Sequence, residues 1–354
     1  MKAVMPQSGP SHGGNEPTIV DVAAMAGVSI RTVSRVLNHS PKVNGETRAR
    51  IQCAIDVLNF RPSLRARAMA KGRSFLIGMV HNDRNALVLD SVQRGVGREA
   101  TRRGYEVICH SVPVGDPGAA ADVLNFARRS RVDGLVVMPP VSDMTGLPLA
   151  LAGDHVPAVA ISAVPIQGYG AVLLSHERQA AGDVARHLLA LGHHRIAMIT
   201  GPQDMISAIE RRAGFIDALA EAGVAPMAEV EGDYSLAAGV AAADRLLTAS
   251  PPPTAIFAAN DIMAAGVLKV AADRAIAVPA ALSVVGFDGS IVAEMLTPAL
   301  TTVARPFGDM AEMATRYLID LIEGQVASDR PDPHLASPAL RLIKAQSSAA
   351  PASA

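Results

Sequence analysis

The stretch Thr18 to Asn38, TIVDVAAMAGVSIRTVSRVLN, sets how the rest of the chain is read. Apolar residues recur at helical spacing in two short pieces, Val22, Met25 and Ala26, then Val33, Val36 and Leu37. Gly27-Val28-Ser29 between them is too short for anything but a sharp corner. The spacing predicts a helix-turn-helix. Thr18, with Asp21 three residues on, can cap the first helix, and Ser29 can cap the second, which begins at Ile30. Once Val33, Val36 and Leu37 are given to the core, Ile30, Arg31, Ser34 and Arg35 are left on the outer face. A helix showing two arginines and several hydroxyls outward can meet phosphates and base edges. The same geometry also occurs in all-helical domains that never touch DNA, so other features have to discriminate.

Charge is the first of them. The 354 residues carry a net charge of −1, but from Pro17 to Arg73 ten Lys+Arg face three Asp+Glu, and from Ser74 onward 21 face 29. A basic headpiece joined to an acidic body suits a protein of which one end meets a polyanion. Hydrophobic residues make up 49% of the chain, enough core for two or three domains. The longest apolar runs, such as Gly134 to Val141, are far shorter than a membrane span, and Met1 to Pro17 has no signal-peptide h-region. The expectation is a cytoplasmic protein with no membrane partner. Cys53 and Cys109 are the only cysteines and are read as buried or neutral thiols, not a disulfide framework or zinc site.

Around the opening stretch, residues 1–17 read as a disordered tail rich in Gly, Pro, Ser and His. Asn44 is placed to cap a third helix, Gly45 to Leu58, whose Ile51, Ala54, Ile55 and Leu58 close a small core, giving a headpiece over 18–60. Arg61 to Lys71, RPSLRARAMAK, carries four positive charges in eleven residues and on composition alone is a solvated basic linker, here 61–73. From Ser74 short apolar runs alternate with helical patterns: FLIGMV, YEVICHS, GLVVMPP, AVAIS, RIAMIT, TAIFAAN and LSVVGFD. This is α/β architecture with parallel sheets buried on both faces. Roughly 270 residues of it exceed one comfortable core, so two doubly wound lobes are expected.

In such sheets ligands sit beyond the carboxyl ends of the strands. His81, Asn82 and Asp83 follow the first run, Gly201 and Pro202 follow RIAMIT, Asn260 and Asp261 follow TAIFAA, and Asp288 and Gly289 follow LSVVGF. Each can equally cap the next helix. Several polar groups converging on one cleft would suit a polyol, whose neighbouring hydroxyls are each donor and acceptor. Three other motifs fail. Gly95-Val96-Gly97-Arg98-Glu99-Ala100 lies inside a helical run rather than opening it, as a pyrophosphate cradle must. The adjacent His193-His194 cannot face one metal together, and Ser175-His176-Glu177 has triad residue types but no way to converge as sequence neighbours. No cofactor, metal or catalytic residue is assigned.

The alanine-glycine-valine-serine turn followed by TVSRVLN, then Asn44 to Phe60 and Arg61-Pro62, resembles the lactose-repressor (LacI/GalR) family of bacterial transcription factors, and the likeness runs along nearly the whole chain. It implies a sequence-specific repressor of carbohydrate-utilisation genes, not an enzyme, that leaves a palindromic operator when a small sugar-like effector binds. Co-repressor logic on the same scaffold, or a sugar-binding or sugar-modifying protein with an incidental basic N-terminus, are the alternatives. By resemblance, Ile30 and Arg31 read base edges, Arg35 adds a base contact, and Thr18, Ser29, Thr32, Ser34 and Asn38 complete the DNA-binding set. Residues 61–73 correspond to a hinge helix in which Ala66 and Met69 approach the minor groove, with Met69 where a leucine wedge is usual and Ser63 where an asparagine is usual. The core, 74–346, corresponds to two periplasmic-binding-protein-like lobes, about 74–174 with 305–333 and about 175–303 with 334–346. The chain would cross between them near Leu174, Ala304 and His334. Arg211, Tyr234, Asn260 and Asp288 fall on effector positions, with Asn82 added from the strand ends. Arg305 would either face the cleft, favouring an acidic or phosphorylated effector, or form a surface ion pair. A ligand aspartate of some members is Ser162 here. Residues 347–354 read as a disordered tail without the leucine heptads of a tetramer, which leaves a homodimer.

Overall fold

The computed structural model describes residues 17–37, 40–60, 72–82, 86–113, 115–326 and 334–352. The chain divides into two units between Ser74 and Phe75. In the first, helices α1 (Ile19–Ala26), α2 (Ile30–Leu37) and α3 (Gly45–Leu58) enclose Val22, Val33, Val36, Ile51 and Ala54. The Asp21 carboxylate accepts the Thr18 N–H at 2.8 Å and the Thr18 hydroxyl at 2.7 Å, bonds that hold its pKa below the ordinary value. Ser29 accepts the Thr32 N–H at 3.2 Å, and the Asn44 carboxamide accepts that of Thr47 at 2.8 Å. Gly27 ends α1 at φ 61°, a left-handed conformation that glycine adopts without strain, so the chain can turn sharply into α2. One expected core residue is displaced: Met25 is 50% exposed, and Ala23 takes the place beside Val22 and Ala26.

In the second unit all seven apolar runs are strands. A six-stranded parallel sheet contains β1 (Leu76–His81), β2 (Glu106–Ser111), β3 (Gly134–Val137), β4 (Ala158–Ser162) and β5 (Ala171–Leu174), separated in sequence by α4 (Ala86–Arg103), α5 (Ala119–Ser130) and α6 (Leu147–Gly153). After α7 (Glu177–Ala190), a four-stranded parallel sheet is built from β6 (Ile196–Thr200), β7 (Ala228–Glu231), β8 (Ala255–Ala258) and β9 (Ser283–Val285), interleaved with α8 (Ile206–Glu221), α9 (Leu236–Leu246) and α10 (Asp261–Asp273). Then follow α11 (Ile291–Met295), β10 (Thr302–Ala304), α12 (Phe307–Ile322), β11 (His334–Leu335) and β12 (Arg341–Ile343). The first sheet has the order β11-β5-β4-β3-β1-β2 and the second β7-β6-β8-β9, while β10 and β12 form an antiparallel pair. Separate apolar cores cover the two faces of the first sheet, and another fills the second lobe.

Helix α12 packs back on α4, and the contact explains the glycine motif there. A Cβ on Gly95 would stand 2.0 Å from the Gly308 carbonyl oxygen, so Gly95 serves helix-helix approach rather than a phosphate. Two boundaries differ from expectation. His334 pairs with Val172 at the edge of the first sheet, so the last crossing follows Leu335. Of the tail 347–354, expected to be disordered, the described residues 347–352 are docked: Ser347 is fully buried, its hydroxyl accepts the Thr301 N–H and donates to the Val284 carbonyl, and Ala349 N–H donates to the Ser283 hydroxyl. Small polar residues satisfy backbone groups at the rim of β9 there, a role that hydropathy does not reveal. Cys53 and Cys109 are exposed rather than buried, and partial burial pushes the Cys109 thiol pKa up, keeping it neutral.

Candidate functional site

Two surfaces carry chemistry. On the first unit, α2 shows Ile30 at 47% exposure and an exposed Arg31, with Thr32, Ser34 and Arg35 half-buried beside them and Thr18 and Ser29 exposed. Burial of Val33 and Val36 on the opposite side is what turns these residues outward. Asn38, Ala66, Met69 and Ser63 lie outside the described residues.

On the second unit, the carboxyl ends of the strands of both sheets open on a cleft of about 730 Å³, part of it open to solvent. All six residues singled out from the sequence line it: Asn82, Arg211, Tyr234, Asn260, Asp288 and Arg305. His81, Val88, Leu89, Val92, Met138, Pro139, Pro140, Met205, Ser207 and Phe307 complete the wall. Asp83 lies outside the described residues. Asn260 also caps α10, accepting the Met263 N–H at 2.8 Å while its amide donates to the Tyr234 carbonyl at 3.0 Å. The capping reading and the cleft reading therefore both hold for it. Tyr234 stands at φ 71° with its ring over Gly201, where a Cβ would come within 2.3 Å of the phenol oxygen.

The floor of the cleft is a buried ion cluster. Glu177 is fully buried; its carboxylate accepts Arg211 Nε at 2.7 Å and Arg305 Nη2 at 2.5 Å on separate oxygens. Arg305 Nη1 donates to Asp288 at 3.2 Å, and Arg211 Nη2 lies 3.6 Å from the same oxygen. The guanidiniums stack on rings: Arg211 is 4.1 Å from the Phe287 centroid and Arg305 3.9 Å from that of Phe307. Arg305 is thus an interior residue, not a surface ion pair. Burial pushes the Glu177 pKa up, but Arg211 and Arg305 outweigh it and hold it below the ordinary value. For Asp288 burial wins over the same two arginines and the direction is upward. Asp261, beside them, accepts from Thr302 Oγ1 and from the Ser290 N–H and hydroxyl; burial and then the charge of Asp288 push it up to about 7.

Glu177 is the residue that sequence reasoning missed; Asp261, read at the strand end with Asn260, lies beside the cluster but does not line the cleft. Glu177 belongs to the triad-like Ser175-His176-Glu177; Ser175 and Glu177 do bond at 3.1 Å, while His176 is exposed at φ 48°. An acidic residue just after the strand where a crossing was expected was the available signal. Ser162 is fully buried and donates to Asp143, itself raised to about 6 by burial, and does not line the cleft. His193 is engaged by Thr254, Ser283 and the Ala349 carbonyl.

Comparison with known proteins adds the following. Residues 18–63 match the family of bacterial regulatory proteins, lacI family, and residues 185–348 match a periplasmic binding protein-like domain. The lactose operon repressor of Escherichia coli (strain K12) is 31% identical over 308 residues, which cover 87% of this chain and 85% of that protein. Among solved structures, the lac repressor dimer bound to operator and the anti-inducer ONPF is 30% identical, covering 95% of this chain and all of that one, with a TM-score of 0.79. A transcriptional regulator CelR-cellobiose complex is also 30% identical, covering 94% of this chain and 99% of that one, with a TM-score of 0.68.

Proposed function

The chain belongs to the lacI family of bacterial regulatory proteins, and from that premise we propose that it is a homodimeric repressor of carbohydrate-utilisation genes, released from a palindromic operator by a sugar-like effector. The observation that carries the reading is the exposed face of α2, where Ile30 and Arg31 stand free of the headpiece core on a unit with a surplus of positive charge. Arg31 can fork onto a guanine edge and Ile30 can contact a thymine methyl, while Ser29, Thr32 and Ser34 hold the backbone. Two heads on a dimer read two half-sites about one helical turn apart. Kinship with a repressor solved on its operator and with a regulator solved with cellobiose supports both partners.

The cleft supplies the control. Strands of two sheets and the crossing segment at Arg305 bring Asn82 and His81 from one lobe to face Arg211, Asn260 and Asp288 of the other. A ligand touching both walls binds one lobe orientation better than another, and it can shift the population only by that difference in affinity. In the proposed coupling, the favoured orientation parts the hinge segments of the two subunits and weakens the operator complex. The test is a gel-shift and footprinting series on palindromes upstream of neighbouring genes, with and without a panel of sugars. The expected result is one protected palindrome released by one class of sugar; the absence of any preferred palindrome in all conditions would refute the reading.

A further inference from the structure

Counting only the side chains that line the cleft, two guanidiniums face one carboxylate, as if the site were built for an anion. Glu177, fully buried behind that lining, reverses the count. It takes Arg211 Nε and Arg305 Nη2, while Asp288 takes Arg305 Nη1 and lies near Arg211 Nη2, and Arg211 Nη1 donates to the Ala259 carbonyl. The four charges cancel, and both guanidiniums are already held by carboxylates. A phosphate or carboxylate binds arginine through its positive charge and paired N–H groups. Here it would meet guanidiniums already neutralised and would have to compete with Glu177 and Asp288 for them.

Arg305 Nε and the Tyr234 hydroxyl are buried and have no hydrogen-bond partner among the described residues. Beside them Asp288 is an acceptor on the cleft wall. A neutral hydroxyl fits this arrangement because it can accept from either donor and donate to the carboxylate. We propose that Glu177 is a specificity-determining residue that neutralises Arg211 and Arg305 and so restricts the cleft to uncharged, polyhydroxylated effectors, excluding sugar phosphates and sugar acids. The proposal rests on the reading of the cleft as the effector site.

Inorganic phosphate is the probe, with the full chain followed by thermal unfolding at constant ionic strength. The quantity read is the phosphate-dependent shift in Tm that Arg305→Gln abolishes, which assigns it to the cleft. Wild type should show no such shift, and Glu177→Gln should gain a saturable rise of about 2 °C or more. Asp288→Asn removes the other carboxylate, should behave alike, and serves if Glu177→Gln does not fold. A cleft-dependent shift in wild type, or folded variants both indifferent to phosphate, overturns the proposal. A matched series of glucose, glucose 6-phosphate and glucuronate gives a second reading: stabilisation of wild type by a charged member beyond the parent sugar also overturns it. If instead no sugar of any kind loosens the operator, the effector-site reading fails, and the phosphate result stands apart from that failure.

Discussion

At the residue scale, a guanidinium on α2 and a carboxylate on the cleft floor should be separable by mutation. Arg31→Ala should cost about 1–3 kcal/mol of discrimination between the operator and a variant at the contacted base pair. Its sugar-induced shift in Tm should stay intact; loss of that shift would refute the assignment of the two functions to separate units. Asp288→Ala should do the reverse, keeping operator affinity in gel shifts while release by effector disappears. Titration supplies a third test. Because the Asp261 carboxyl sits near 7 when folded, far above its ordinary value, the folded state holds a proton that the unfolded chain has lost between about pH 4 and 7. Stability contributed by this group is therefore present at low pH and lost as pH rises to about 7. Asp143, raised to about 6, slopes the same way, whereas Glu177, His187 and His193, all lowered, slope oppositely. Subtracting the urea-unfolding curve of Asp261→Asn from that of wild type cancels those contributions, and the remaining difference should fall as pH rises from about 4 to about 7; a flat difference would reject the raised carboxyl.

At the scale of elements, close helix crossings are set by missing side chains. Gly95 faces the Gly308 backbone between α4 and α12, and Gly214 faces the Arg178 carbonyl between α7 and α8, where a Cβ would stand 1.8 Å away. Gly95→Val should force α4 and α12 apart and lower stability by about 1–3 kcal/mol or more in chemical unfolding, with no dinucleotide binding to lose. The docked C-terminal segment is a second case. Ending the chain at Gln346 would strand the buried Thr301 N–H that Ser347 accepts, so a loss of about 1–3 kcal/mol is expected. An unchanged midpoint would show that the segment contributes nothing.

At the scale of the whole molecule, the separation of charge matters more than its near-zero sum. Operator affinity carried by a basic headpiece should fall steeply and linearly in log–log form as salt rises. The effector-induced shift in Tm, arising in a cleft whose charges are buried and paired, should change little over the same range. A single salt titration read by both assays checks the division. Among the described residues no helix is long and apolar enough to cross a membrane.

The sequence by itself determined the local elements. Cap residues such as Thr18, Ser29 and Asn44, the turn at Gly27, and seven near-continuous apolar runs act through neighbours a few residues away, and those interactions are written in order along the chain. The short strands β5, β7, β10, β11 and β12 were not read from the sequence, because their pairing is chosen by the sheet they join. Nor was the ion cluster: Glu177, Arg211, Asp288 and Arg305 are up to 128 positions apart, and their meaning is a sum of charges at hydrogen-bond distance. Only tertiary structure could place Glu177 behind two arginines, because burial and pairing depend on distances that no sequence spacing encodes.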